Sequence, residues 1–161
     1  MPIVLLRVDE RLIHGQVVVG WGEQTHVDRL VVVDDAISAS AWEQELYCLG
    51  VPPSMDAVFV PVDEARRQLS RWAEDSRRAI VLIRDCETLA RLGDGGTLRG
   101  MEVNLGGLHA APGREPVLPY LFLSPEDHAA LQRIADSGAT VVARDLPRSR
   151  AVPLADLTGH G

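Results

Sequence analysis

"IVLLRVDERLIHGQ", residues 3–16, places an apolar run of strand length directly before two arginines, two acids, a histidine and a glycine. Four apolar residues in series fit a strand buried on both faces, as in a parallel sheet covered by helices. If that strand ends near Arg7, residues 8–13 form the first strand-to-helix loop. His14 then stands at the start of a helix over 13–24. The same alternation continues outward along the chain. Strands are expected at 3–7, 29–34, 57–60, 79–84, 101–104, 120–123 and 140–144, and helices at 13–24, 39–49, 62–74, 87–92 and 125–137. Ser124, Pro125 and Asp127 supply the N-cap, first and third positions of the last helix, and Gly138 ends it.

Strands alternating with helices predict an α/β fold: an open, mainly parallel sheet of about seven strands with helices on both faces. The strand near Tyr120 follows a helix-free connection and is the one expected to be able to run antiparallel. Residues 93–100, rich in glycine, and 109–119, with three prolines, read as loops. No repeat or shift in composition divides the chain, so residues 1–161 are expected to form a single domain with a partly irregular tail after about 147. In such a fold, ligands lie beyond the carboxyl ends of the strands, where the strand order reverses.

Composition narrows the chemistry. A net charge of −7 disfavours phosphate-backbone binding, so nucleic acid is not an expected partner. All sixteen cationic side chains are arginine. Without lysine there is neither a Walker A phosphate loop nor a Schiff-base nucleophile. Cys48 and Cys86 lie far apart, and His26, His109, His128 and His160 show no metal-ligand spacing, so no metal site is indicated. No apolar run approaches the roughly 20 residues that cross a bilayer. The amino terminus lacks the basic start and cleavage site of a signal peptide, which reads as a cytoplasmic protein.

The cluster around His14 has the parts of a phosphoryl-accepting site. A helix amino terminus offers free N–H groups and partial positive charge to an anion. Gly15 removes a side chain where an amide would approach that anion, and Arg7 and Arg11 add permanently charged, bidentate donors. Asp9 or Glu10 can accept a hydrogen bond from one imidazole nitrogen and so turn the other outward as a nucleophile. By residue type alone, a solvated or capping histidine among surface ion pairs fits the same letters.

The stretch Arg7 to Trp21, "RVDERLIHGQVVVGW", resembles the amino-terminal signature of the IIB subunits of the mannose/fructose/sorbose class of the bacterial sugar phosphotransferase system (PTS), including a tryptophan seven residues after the histidine. Further similar stretches are "DRLVVVDD" at 28–35, "VPPSMDAVFVPVDEA" at 51–65, "VNLGGL" at 103–108 and "SPEDHAALQRIADSGATVVARDLP" at 124–147, so the resemblance runs nearly the full length. It implies that His14 takes a phosphoryl group on its δ1 nitrogen from a IIA phosphohistidine. The group then passes to a sugar bound by the membrane components IIC and IID, with no cofactor. It also implies that Arg7, Asp9 and Arg11 orient and neutralise, and that Gly15 and Gln16 lend donors. Where family members often carry a basic residue after the tryptophan, this chain has Gly22-Glu23, which bears on partner choice.

Two other readings stand beside a transport carrier at the membrane permease: a regulatory phosphoprotein of an incomplete PTS, and a non-catalytic anion-binding module. Ser54, Gly106 and Gly107 are candidate phosphate supports from other loops, with plain turns as the alternative. Asp34 and Asp35 read as helix caps. Trp42, Leu69 and Trp72 read as core or docking surface, and an exposed Val/Leu/Trp face leaves a homodimer open. Arginines 66, 67, 71, 77 and 78 form a basic patch on or after the third helix.

Overall fold

The computed structural model describes residues 3–157; the reading of His160 falls outside them. In chain order the strands are β1 (Ile3–Val8), β2 (Arg29–Val33), β3 (Asp56–Val60), β4 (Ala79–Ile83), β5 (Glu102–Leu105), β6 (Glu115–Leu118), β7 (Leu121–Leu123), β8 (Thr140–Ala143) and β9 (Val152–Pro153). Seven of them form one sheet in the order β3-β2-β4-β1-β5-β8-β9, parallel except for β9 against β8.

Apolar residues on both strand faces require cover on both sides. Leu30, Val32, Ile80 and Leu82 point to one layer, and their chain neighbours Val31, Val33, Val81 and Ile83 to the other. The first layer is closed by Val17, Val18 and Trp21 of a π helix (Gln16–Glu23) and by Ile37 of α1 (Asp35–Ser38), with the mostly exposed α2 (Ala41–Cys48) at its edge. The second is closed by α3 (Val62–Glu74), α4 (Cys86–Leu92) and α5 (Pro125–Asp136), which contribute Leu69, Trp72, Leu89, Leu92, Leu131 and Ile134.

The expected fold is therefore present, with local differences. The helix expected over 13–24 begins at Gln16 and is wound in π form, a winding that recurs at functional sites. The one expected over 39–49 is α2, and an additional short helix, α1, precedes it. Asp34 caps α1 by accepting from Ile37 N at 2.9 Å, and Gln44 Nε2 donates to the carbonyls of Ile37 and Ser38 across the break between the two. The segment near Tyr120 leaves the main sheet: β7 pairs antiparallel with β6, which lies in the stretch read as a proline-rich loop. A two-stranded side ribbon tolerates Pro116 because its far edge needs no ladder donor. The antiparallel member of the main sheet is instead β9, in the tail.

From β1 the chain moves to β2 and β3 on one side, returns through β4, and crosses to β5 and β8 on the other. This reversal brings the carboxyl ends of β1, β5 and β8 side by side, each available to hold a piece of one site.

The end of α5 away from solvent fraying depends on a reciprocal cap. Ser124 accepts from Asp127 N at 3.0 Å, while Asp127 accepts from Ser124 N at 2.9 Å. Ser124→Ala is expected to lower stability by about 0.5–2 kcal/mol, read as a lower midpoint in urea unfolding at unchanged slope.

Candidate functional site

Arg7, near the end of β1, is completely buried. Its Nη1 donates to Asn104 Oδ1 of β5 at 2.5 Å and to the Arg144 carbonyl at 2.7 Å, and its Nη2 donates to the Asp145 carbonyl at 3.1 Å. The guanidinium carbon lies 5.2 Å from the centre of the Trp21 ring, and Asp9 Oδ2 is 3.5 Å from Nη2. Burial pulls the Arg7 pKa down from its ordinary value, with Asp9 and Asp145 opposing that pull. Gly106 makes this packing possible: a Cβ there would overlap Nη2, Cζ and Nε of Arg7.

Beyond β1 the loop is shaped by two backbone bonds, from Asp9 N to the Ile83 carbonyl at 2.9 Å and from Leu12 N to the Asp9 carbonyl at 2.9 Å. Leu12 adopts φ +56°, a left-handed conformation rarely taken by a bulky side chain, while its side chain is fully buried. Burying that leucine, worth roughly 1.5–3 kcal/mol, offsets a backbone cost of about 1–3 kcal/mol. The turn therefore delivers the chain into the π helix with His14 at its mouth.

Asp9, also completely buried, organises the loop. It accepts from Arg11 N at 3.1 Å, from Arg11 Nε at 3.2 Å and from Arg11 Nη2 at 3.3 Å. His14 Nε2 lies 3.3 Å from Asp9 Oδ2, close enough to interact electrostatically but off the line of a good hydrogen bond. Burial alone would push the Asp9 carboxyl up. The neighbouring His14 and Arg11 outweigh it and hold the group well below the usual carboxylate range. Of the two acids the sequence offered as imidazole partners, Asp9 is the one that lies beside the His14 ring. Glu10 turns instead to the loop after β5, accepting from His109 N and lying 2.6 Å from His109 Nδ1. Its own N–H donates to the Gly107 carbonyl at 3.0 Å.

Gly15 has open space where a Cβ would be, and neither its N–H nor that of Gln16 makes a backbone hydrogen bond among the described residues. These are free donors at the start of a helix, as expected. Three expectations need correction. The Gln16 side chain, unlike its backbone N–H, is already engaged: Oε1 accepts from Arg11 Nη2 at 2.9 Å and Nε2 donates to Asp145 Oδ1 at 2.5 Å. Gly106 offers no amide to an anion, because that N–H donates to the Val8 carbonyl at 2.7 Å; its use is the room it leaves for Arg7. Ser54 is exposed in the turn before β3, and since β3 runs parallel to β1, that turn lies at the amino edge of the sheet, opposite His14. Gly107 stays at the site beside Arg11, whose Nη2 would lie 3.3 Å from an added Cβ.

Arg7 likewise stands behind the site, with no surface for a ligand to touch. The segment that reasoning from sequence missed is Arg144-Asp145, which follows β8 and supplies three carbonyl or carboxylate acceptors to the cluster. A charged pair closing a parallel strand was the available signal. Among the described residues, no three His, Cys, Asp or Glu side chains stand together to hold a metal ion.

The family model for the PTS system sorbose subfamily IIB component matches residues 3–160. The chain belongs to that IIB family. It is 29% identical over 157 residues to the PTS system mannose-specific EIIAB component of Escherichia coli (strain K12), covering 98% of this chain but 48% of that protein, about half its length. It is 26% identical to the PTS system fructose-specific EIIB component of Bacillus subtilis (strain 168), covering 91% of this chain and 90% of that one. The crystal structure of manxB from Thermoanaerobacter tengcongensis superposes with a TM-score of 0.84 at 26% identity, over 96% of this chain and 93% of that one. No helix among the described residues of this IIB chain is long and apolar enough to cross a membrane.

Two measurements check how the IIB site is built. Gly106→Ala forces the buried Arg7 guanidinium aside, and the variant is expected to lose about 1–3 kcal/mol in urea unfolding. Acid titration tests Asp9. Its folded pKa lies below its unfolded value, so its contribution to stability is complete above about pH 4 and is lost as pH falls through the folded value. Wild type should therefore lose stability more steeply than Asp9→Asn as pH falls below about 4; parallel acid limbs would remove Asp9 from this role.

Proposed function

We propose that this IIB protein is a phospho-carrier in which His14 receives a phosphoryl group from a phosphohistidine of a IIA protein and passes it to a sugar held by membrane IIC/IID components. The observation that carries the reading is the pose of His14. Its Nε2 is buried against the ionised Asp9, so Nδ1 is the nitrogen left open to a partner, at the start of a helix with free amides. Its location at the cytoplasmic side of a permease, docked peripherally, belongs to the same proposal.

With the proton on Nε2, the Nδ1 lone pair attacks phosphorus as the donor's P–N bond breaks, and the donor imidazole takes back the electron pair. The new phosphoimidazolium carries positive charge beside Asp9, which is fixed, dry and already ionised. The phosphoryl oxygens meet the amides of Gly15 and Gln16 and the half-exposed guanidinium of Arg11. In the second step the sugar hydroxyl attacks phosphorus, loses its proton to the acceptor site, and the neutral imidazole leaves. Donor and acceptor must reach the same nitrogen in turn. Exposed apolar side chains support such docking: Val19 and Leu146 near the π helix, and Trp42, Leu46 and Leu49 on or beside α2.

Intact-mass spectrometry after incubation with phosphoenolpyruvate, enzyme I, HPr and a mannose-class IIA protein tests the reading. Wild type should gain one acid-labile phosphoryl group and His14→Ala none, with both proteins folded. Arg11→Ala should slow the transfer on the order of 10²-fold by removing a preorganised donor. A phosphorylated IIA from the same genome that fails to label wild type would overturn the carrier reading in favour of an anion-binding module.

A further inference from the structure

We infer that Asp145 is a positioning residue for phosphoryl transfer: it sets the orientation of the Gln16 amide, and the amide in turn aims the Arg11 guanidinium at the group carried by His14. The inference rests on the carrier reading of His14 and extends it to a residue in a different loop.

An amide side chain has a donor end and an acceptor end of nearly equal size, and only its partners decide which way it points. Here both partners are one-sided. Asp145 presents only acceptors to Gln16 Nε2: its Oδ1 at 2.5 Å and its carbonyl oxygen at 3.2 Å. Arg11 presents only donors, and its Nη2 meets Gln16 Oε1 at 2.9 Å. Turned over, the amide would set its NH2 against a guanidinium and its oxygen against a carboxylate. The chain of contacts therefore runs in one sense, from Asp145 through Gln16 to Arg11, then through Asp9 to His14.

Arg11 needs this support. Its side chain is 39% exposed, and without Gln16 its side-chain hydrogen bonds would all be to Asp9. Asp145 is itself held from below, because its carbonyl also accepts from Arg7 Nη2 at 3.1 Å and Trp21 Nε1 at 3.2 Å. A short turn behind it closes through Ser149 N to the Leu146 carbonyl at 2.9 Å. The backbone contacts survive a change of side chain, so the carboxylate's role in orienting Gln16 can be separated from the loop's role in folding.

The test is a rescue. Gln16→Glu keeps an acceptor for Arg11 but sets a carboxylate against Asp145; Asp145→Asn, added to it, restores a donor facing an acceptor. Transfer from phosphorylated IIA should fall on the order of 10- to 10²-fold in Gln16→Glu and recover most of that loss in the double variant. Asp145→Leu should slow transfer to a similar degree, and the Arg11 Nε–H should exchange faster with water in its NMR spectrum. A double variant no faster than Gln16→Glu would overturn the proposal, as would an Asp145→Leu protein with wild-type transfer and wild-type Arg11 exchange. Should Asp145→Leu fail to fold, the rescue pair alone decides. If wild type itself takes no phosphoryl group, the carrier reading fails, and Arg11 exchange in the unphosphorylated variants still shows whether Asp145 orients the guanidinium.

Discussion

A buried guanidinium organises this end of the molecule. Arg7 reaches from β1 to Asn104 on β5 and to two carbonyls after β8, lies under Trp21 of the π helix, and faces Asp9. Three other pieces of chain, the π helix and the segments at the ends of β5 and β8, thus converge on one side chain of β1. Placing such a charge away from water is costly unless its donors are satisfied, and removing one partner of a buried pair costs roughly 3–5 kcal/mol. The same cost makes the arrangement specific: the loops after β1, β5 and β8 can settle only where they can serve Arg7. Gly106 belongs to this constraint, since any side chain there would occupy the guanidinium's place.

On that foundation the outer side chains form a second tier with partial exposure. Arg11, Gln16, Asp145 and His14 are linked through Asp9 and one another, whereas Glu10 and His109 form a separate tie between the β1 and β5 loops. The left-handed Leu12, between Arg11 and Ile13 in the chain, is packed into the apolar layer under the π helix. Its burial pins a backbone conformation that the loop would not hold by itself, so precision at His14 derives from hydrophobic burial two residues away.

Much of this was legible in the sequence. Apolar runs such as Ile80 to Ile83 have the length of strands buried on both faces, and their alternation with helical segments implies a mainly parallel sheet with its site at the carboxyl edge. Placing His14 at that edge needed only the end of the first strand, and the caps at Asp34 and Ser124 followed from residue type and spacing. What was not legible depends on strand order and on side-chain direction. Arg7 and Arg11 look alike as letters, yet one faces the layer under Trp21 and the other the solvent edge. Ser54 lies in another of the stretches that resemble the family but precedes its strand, which puts it at the far edge of the sheet. Asp145 follows β8, the eighth of the nine strands, 129 residues from Gln16, and only the adjacency of β8 to β5, and of β5 to β1, brings the two together.

The charge pattern bears on what a carrier must do. Around His14 the cations Arg7 and Arg11 are opposed by the carboxylate of Asp9, with Asp145 acting on Arg7, so the two arginines carry no surplus of positive charge. A cluster of unopposed arginines would bind a phosphoryl group tightly and release it slowly, because stabilising the phosphorylated state as much as the transition state gives no gain in rate. Here the arginines are oriented by anions already in place. On the carrier reading, an arriving phosphoryl group meets directed donors but competes with Asp9 and Gln16 for Arg11, which limits how deep the phosphohistidine state can lie. Orientation without excess binding is what a group that must be handed on requires.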